Sequence, residues 1–280
     1  MTLLAPAKLN LRLLVGPVGA DGYHPVRTLM VALDGLADRV HLEPAAERSV
    51  RCPEADGPEN LAWRALDALE RALGRPLPLA VRIEKAVPSR AGLGGGSSDA
   101  AAVLAGADAL LGLGLGPEAL ERVGAEVGAD VPFFVRGGVQ WGEGRGDRLR
   151  PGSAPPFAAL LLRPDLGLST PAVYGAFDRL PAPPPPRDGD DAPPATFAGL
   201  AAWVRNDLWA PALALEPRLG ATARALSAAG APAVVMSGSG SCVAGLFPDA
   251  GAARAAAARL PEGGFRAVVT PSAGGVRTLP

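Results

Sequence analysis

The chain has 280 residues, 48% hydrophobic and 20% charged, with a formal net charge of −1. That is the composition of a globular protein with a large core, not of a disordered one. There is no basic excess to follow a phosphodiester backbone, so nucleic acid is not expected as a partner, and two histidines and two cysteines leave little for a zinc site.

In chain order, residues 1–14 place Lys8 and Arg12 inside what would have to be the apolar part of a signal peptide, so secretion is not indicated. With Cys52 and Cys242 as the whole cysteine content, a reducing, cytoplasmic setting is expected. Residues 28–44 predict two short strands, 29–33 and 39–43, joined at Gly35. Asn60 is placed to cap a helix whose apolar face is Leu61, Ala65, Leu66, Leu69 and Leu73. Leu79, Val81 and Ile83 alternate with Ala80, Arg82 and Glu84, the pattern of a half-buried strand that Pro88 ends.

A glycine-dense loop follows, then a helix with Val103, Leu104, Ala107, Leu110 and Leu111 on one face. The apolar run 100–116 is too short, too rich in glycine and too interrupted, by Asp108, to span a bilayer, so no membrane partner is expected. A third helix starts at Pro117, turns Leu120, Val123 and Val127 inward and ends at Gly128. Strands are expected at 157–162, Ala233–Met236, Val243–Phe247 and 265–270, with an Ala/Arg helix over 249–260. Residues 181–196 are rich in Pro and Asp and read as a mobile surface loop. A Gly/Ser/Pro stretch at 151–156 suggests two domains, 1–152 and 153–280.

Lysine occurs only at 8 and 85, asparagine only at 10, 60 and 206, and tyrosine only at 23 and 174. In a chain dominated by Ala, Gly, Pro and Arg, these residues are candidates for chemical duty. The most specific segment is 88–98, Pro-Ser-Arg-Ala-Gly-Leu-Gly-Gly-Gly-Ser-Ser. Its glycines let the backbone approach a ligand closely, and the serines fall where a helix begins, so converging amides and a helix dipole offer an anion site. The segment is not a Walker A loop, having no Gly-Lys-Ser/Thr ending, and it is a poor dinucleotide fingerprint.

With Pro6-Ala-Lys8-Leu-Asn10 before this loop and Ser237-Gly-Ser-Gly-Ser-Cys242 after it, the chain resembles the GHMP kinase family. Asp21-Gly-Tyr-His24, Gly128-Ala-Asp-Val-Pro132 and Ser169-Thr-Pro171 leading to Tyr174 resemble the branch whose alcohol substrate carries a cytidine diphosphate moiety. The matches run from residue 5 to about 247. Arg90 stands where the family usually has glycine.

The resemblance implies an α+β, two-domain fold with a cleft between an N-terminal ATP-binding domain and a C-terminal ferredoxin-like domain. It implies transfer of the γ-phosphoryl group of ATP to a hydroxyl, with Mg²⁺ travelling with the nucleotide. No protein ligand for the metal is assigned; Ser97 and Ser98 are the candidates. Lys8 and Asp130 become the catalytic pair, although Asp130 also suits a helix N-cap and Lys8 a solvated strand position. Pro88, Ser89, Arg90, Ala91, Gly92, Leu93, Gly94, Gly95, Gly96, Ser97 and Ser98 would hold the nucleotide, with Asn60 and Lys85 lining the adenine pocket. Tyr23, His24 and Tyr174 would enclose the pyrimidine, and Asn10 and Thr170 would meet substrate hydroxyls or phosphate. A monomer or weak homodimer is expected. The alternatives are another alcohol kinase of the family, of the mevalonate or homoserine type, and a non-catalytic ligand sensor on the same scaffold.

Overall fold

The computed structural model describes residues 1–53, 55–181 and 192–279. In chain order the first half contains β1 (Thr2–Val15), β2 (Val26–Pro44), β3 (Ser49–Arg51), α1 (Leu61–Leu73), β4 (Leu79–Glu84), α2 (Gly95–Leu111), α3 (Gly116–Val127), α4 (Val131–Arg136), β5 (Val139–Gly144) and β6 (Arg148–Pro151). The second contains β7 (Ala158–Arg163), α5 (Thr170–Phe177), α6 (Phe197–Trp203), β8 (Arg205–Asn206), α7 (Trp209–Leu215), α8 (Arg218–Ala228), β9 (Ala233–Met236), β10 (Val243–Phe247), α9 (Ala250–Ala257), β11 (Phe265–Pro271) and β12 (Arg277–Thr278). Most of the segment expected to be a mobile loop, 182–191, lies outside the described residues.

Residues 28–44 form one long strand, not the two expected. Gly35 takes φ 96, so the chain bends there without leaving the sheet, and a β-carbon would strike the Val268 carbonyl 2.9 Å away. β1 stays paired with β2 on both sides of the bend and absorbs the change through register shifts at Pro6/Lys8 and Asn10/Arg12. β2 is therefore a spine: its first half also pairs with β5, its second half with β4, and the bend with β11. Through β11 the chain's later strands, ordered β11-β7-β10-β9, join the same sheet.

α2 is buried almost all round, not on the single face expected. Ala100, Ala101, Ala102, Val103, Leu104, Gly106 and Ala107 are all buried, while Leu110 and Leu111 are only partly so. Small side chains allow this helix to sit in the middle of a layer. It packs on β1 and β2 beneath and on α1, α3 and α4 beside it. Asn60 caps α1 as expected, accepting from Ala62 N at 2.9 Å, and Gly74 in the left-handed region ends the helix.

β1 crosses three apolar cores in succession. Leu3 and Ala5 belong to the core under α1–α4, Ala7, Leu9 and Leu11 to a central one, and Leu13 and Val15 to the core under α5, α7, α8 and α9. Lys8 and Asn10 project from β1 at the central crossing.

Candidate active site

Lys8, expected as either a catalytic cation or a solvated strand residue, is buried, its side chain only 5% exposed. The two register shifts in β1 bracket Lys8 and Asn10, as bulges commonly do where a strand must aim side chains out of the regular alternation. Burying an ammonium is costly without partners, and Lys8 has two: Asn10 Oδ1, to which it donates, and Asp130 Oδ2 at 3.5 Å. Asp130 stands at the N-cap position of α4, but its side chain makes no capping hydrogen bond. Its carboxylate, about one-third exposed, faces Lys8 instead.

The three glycine- and lysine-containing motifs are hydrogen-bonded into one unit. Lys8 N donates to Leu93 O at 3.0 Å, and Cys242 N to Ala91 O at 3.0 Å. Ser237 Oγ donates to Gly92 O at 2.8 Å, and Gly238 N to Asn10 Oδ1 at 2.9 Å. Two glycines make this contact possible. A β-carbon on Gly92 would lie 1.9 Å from Ser237 O, and one on Gly94 2.6 Å from the Phe134 ring and 3.1 Å from Lys8 Cγ. Both have φ +75, a conformation that L-residues adopt at a cost.

Gly94 is also the N-cap of α2, so the helix starts inside the glycine cluster and not at the serines. Ser98 N already donates to Gly94 O, which leaves the first-turn amides of Gly95, Gly96 and Ser97 without intrahelical partners. With the positive end of a 17-residue helix behind them, these amides form an anion-binding surface. They open into a cavity of about 910 Å³, also lined by Lys8, Asn10, Asn60, Lys85, Asp99, Asp130, Thr170, Tyr174 and Gly238. Two loop residues expected at the nucleotide do not line it. Leu93 is buried in the central core, and Ser98 is wholly buried at the base of α2.

Lys85 sits on two carboxylates, Asp38 Oδ2 at 2.5 Å and Asp99 Oδ2 at 2.8 Å. Burial would push its ammonium down, but the charges of Asp99 and Asp38 outweigh that and raise it. Asp38 is held by the Ala86 and Val87 amides at 2.6 and 2.8 Å. Burial pushes the Asp99 carboxyl up to about 7; Lys85 pulls against this and Asp38 adds to it. Among the described residues, Asp99 Oδ1 is buried without a hydrogen-bond partner. Asn60, also at the cavity, has both ends of its amide occupied, by Ala62 N and by Ala55 O.

The three rings expected around a pyrimidine are not gathered about one slot. Tyr174 lines the cavity; burial and then the charge of Asp130 push its phenol up to about 12, so it stays neutral. His24 packs against Tyr174, ring centroids 5.1 Å apart, and does not line the cavity. Its Nδ1 lies 2.9 Å from Gly16 O and its Nε2 3.3 Å from Asp178 Oδ1, so the imidazole braces Tyr174. Tyr23 is 53% exposed outside the cavity, with the Arg145 guanidinium 4.2 Å over its ring. Thr170 Oγ1 is 2.8 Å from Ser239 Oγ, linking the start of α5 to the third motif.

Three polar residues beyond those expected at the site support it. Asn206 Nδ2 donates to Met236 O and Gly238 O at 2.7 and 2.8 Å, pinning the turn between β9 and β10. Asp207 accepts from Val15 N at 3.1 Å, tying the end of β1 to the same region. Thr28 accepts from Asn10 Nδ2 at 2.7 Å and donates to Arg12 O. The polar Asn206-Asp207 pair in an apolar setting was a visible signal; Thr28 gave none.

The family model described as GHMP kinases N terminal domain matches residues 60–138, and that described as GHMP kinases C terminal matches 197–265. A 4-diphosphocytidyl-2-C-methyl-D-erythritol kinase of Anaeromyxobacter dehalogenans is 46% identical over 267 residues, covering 91% of this chain and 83% of its own. The chain belongs to the GHMP kinase family. A solved 4-(cytidine 5'-diphospho)-2C-methyl-D-erythritol kinase superposes on this GHMP kinase with TM-score 0.79 at 37% identity, covering 97% of this chain and all of the other. A homoserine kinase from Cytophaga hutchinsonii superposes with TM-score 0.75 at 18% identity, which establishes a shared fold only.

Proposed function

We propose that this chain transfers the γ-phosphoryl group of ATP to the 2-hydroxyl of 4-diphosphocytidyl-2-C-methyl-D-erythritol, giving ADP and the 2-phosphate, in non-mevalonate isoprenoid precursor biosynthesis. The observation that carries the mechanism is the pairing of buried Lys8 with the half-buried Asp130, 3.5 Å apart beside the free amides of the α2 N-terminus. Phosphoryl transfer needs positioning and charge stabilisation more than covalent help. The amides of Gly95, Gly96 and Ser97 hold phosphate oxygens. Asp130 accepts the hydrogen bond of the attacking hydroxyl and aims its lone pair at the γ-phosphorus. Lys8 stabilises the negative charge that develops on the transferred group. In a loose transition state the hydroxyl proton leaves late, so orientation is the larger part of Asp130's work.

Residues 1–152 hold the nucleotide in this proposal, with Asn60 and Lys85 shaping the wall for the adenine, and 153–280 complete the substrate side. Tyr174 supplies the face on which a pyrimidine stacks, worth about 1–3 kcal/mol per base, with His24 holding its ring and Tyr23 closing the outer edge. Asn10 and Thr170 meet the methylerythritol and phosphate oxygens. Mg²⁺ accompanies the nucleotide. The residues present fit it: the partnerless Asp99 Oδ1 and the Ser97 hydroxyl are hard oxygen donors at one cavity wall, and Mg²⁺ takes few protein ligands beside phosphate and water. When bound, it offsets the charge of the phosphates. No helix among the described residues is long and apolar enough to cross a membrane; a cytoplasmic enzyme is the proposal.

The test is to mix the protein with ATP, Mg²⁺ and the cytidylylated methylerythritol and follow ³¹P NMR. A new phosphomonoester signal is expected, and it should vanish with Asp130→Asn. Absence of that signal with wild-type protein, or failure to bind CDP or CMP, would reject the substrate; a wild-type rate in Asp130→Asn would reject the role of Asp130.

A further inference from the structure

Arg90 is the one described residue other than glycine with a positive φ, at 52°. An L-residue is strained there, and strain of this kind persists where the surrounding structure enforces it, commonly at ligand sites. The cations that line the cavity are Lys8, Lys85, Arg90 and Arg145. Lys8 faces Asp130, Lys85 is outnumbered by Asp38 and Asp99, and Arg145 lies over the Tyr23 ring. Arg90 is exposed and makes no hydrogen bond or ion pair with any described residue. A polyphosphate entering this cavity therefore meets three cations already engaged and one that, among the described residues, has no partner.

The stem of Arg90 is directed by its neighbours. A β-carbon on Gly167 would lie 3.6 Å from Arg90 Cβ and 3.7 Å from its Cδ, so the side chain runs along the segment before α5. That segment is tied to the third glycine motif, because Ser241 Oγ donates to Leu166 O at 2.9 Å, and it leads into the cavity-lining Ser169 and Thr170. Arg90 thus belongs to the phosphate loop by its backbone and to the opposite wall by its side chain. We propose that the Arg90 guanidinium binds a phosphate oxygen of a polyphosphate held between these two walls. This rests on the kinase function proposed above, which offers two sources of that chemistry, the triphosphate of the nucleotide and the diphosphate of the acceptor. A planar guanidinium suits either, since it presents paired donors to phosphate oxygens.

The test uses the full-length protein and the variants Arg90→Ala, Arg90→Gly and Arg90→Lys, titrated calorimetrically with Mg²⁺ and a non-hydrolysable ATP analogue, and separately with CDP. The expected result is a loss of affinity of about tenfold, in Arg90→Ala and equally in Arg90→Gly, for one of the two ligands, with partial recovery in Arg90→Lys. Loss confined to the ATP analogue identifies the triphosphate as the partner, and loss confined to CDP the acceptor's diphosphate. Glycine relieves the strained φ, so Arg90→Gly should melt no lower than wild type, which separates loss of the side chain from loss of the loop. Wild-type affinity for both ligands in Arg90→Ala and Arg90→Gly would overturn the proposal, as would a loss in Arg90→Ala that Arg90→Gly does not share. If wild-type protein bound neither ligand, the kinase function itself would fall, and this inference with it.

Discussion

Asp130 occupies a helix N-cap position, yet its carboxylate is turned to Lys8 and caps nothing. Its replacement should therefore disturb chemistry far more than folding. Asp130→Asn is expected to lower kcat by roughly 10²–10⁴, while the melting temperature moves by no more than about 2 °C. Steady-state kinetics beside a thermal melt checks both, and a large fall in stability would mean that the capping role dominates. Asp99 offers a second test at this scale. Its folded carboxyl is pushed up to about 7, whereas the ordinary value is 3.8. The folded state therefore binds a proton that the unfolded chain releases, so the contribution of this group is fully present below about pH 4 and lost as pH rises through about 7. In urea titrations without nucleotide, the stability of wild type relative to Asp99→Asn should decline from pH 5 to pH 8. A difference independent of pH would show that Asp99 does not carry this titration.

The elements around the third glycine turn act as a clamp. The side chain of Asn206, at the end of β8, makes three hydrogen bonds with described residues: one to the carbonyl that ends β9, one to a carbonyl of the turn after it and one from Leu208 N. Asn206→Ala removes all three and leaves the buried Met236 carbonyl without this donor, at about 1–3 kcal/mol in stability. Because Gly238 N is bonded to Asn10 Oδ1, which also accepts from Lys8, kcat should fall by more than KM rises. A destabilised Asn206→Ala enzyme with wild-type kcat would show that the turn is not coupled to Lys8. Gly92 marks the closest approach between the phosphate loop and this turn. Gly92→Ala forces a β-carbon into the Ser237 carbonyl and strains a left-handed φ, so a loss of at least about 3 kcal/mol is expected by denaturant titration.

Across the whole molecule, β1 belongs to all three apolar cores, and β2 is hydrogen-bonded to strands of both halves of the chain. Neither half can lose its core without exposing part of a strand that the other half buries. Calorimetry is expected to record one cooperative transition, and a saturating ATP analogue should raise that transition by several degrees without splitting it. Two resolved transitions would mean that the chain divides into two units of stability, as the boundary expected near residue 152 would require.

Local patterns identified much of this chain. The helix after Asn60, the alternation at 79–84, the glycine loop and the strands near β7, β9, β10 and β11 are decided by side-chain period, capping and turn chemistry within a few residues of themselves. The bent continuity of β2, the burial of α2 on nearly every side and the engagement of Lys85 by Asp38 and Asp99 were not legible there. Each depends on what lies across the sheet or behind the helix, distant in sequence. The rarity of Lys, Asn and Tyr pointed to Lys8, Asn10 and Tyr174, but only tertiary packing decided which candidate residues face the cavity and which, like His24 and Asn206, hold those that do. Chemistry at a site is carried by residue type, which a sequence displays. Its geometry is set by long-range hydrogen bonds and packing, which exist only once the chain has closed on itself.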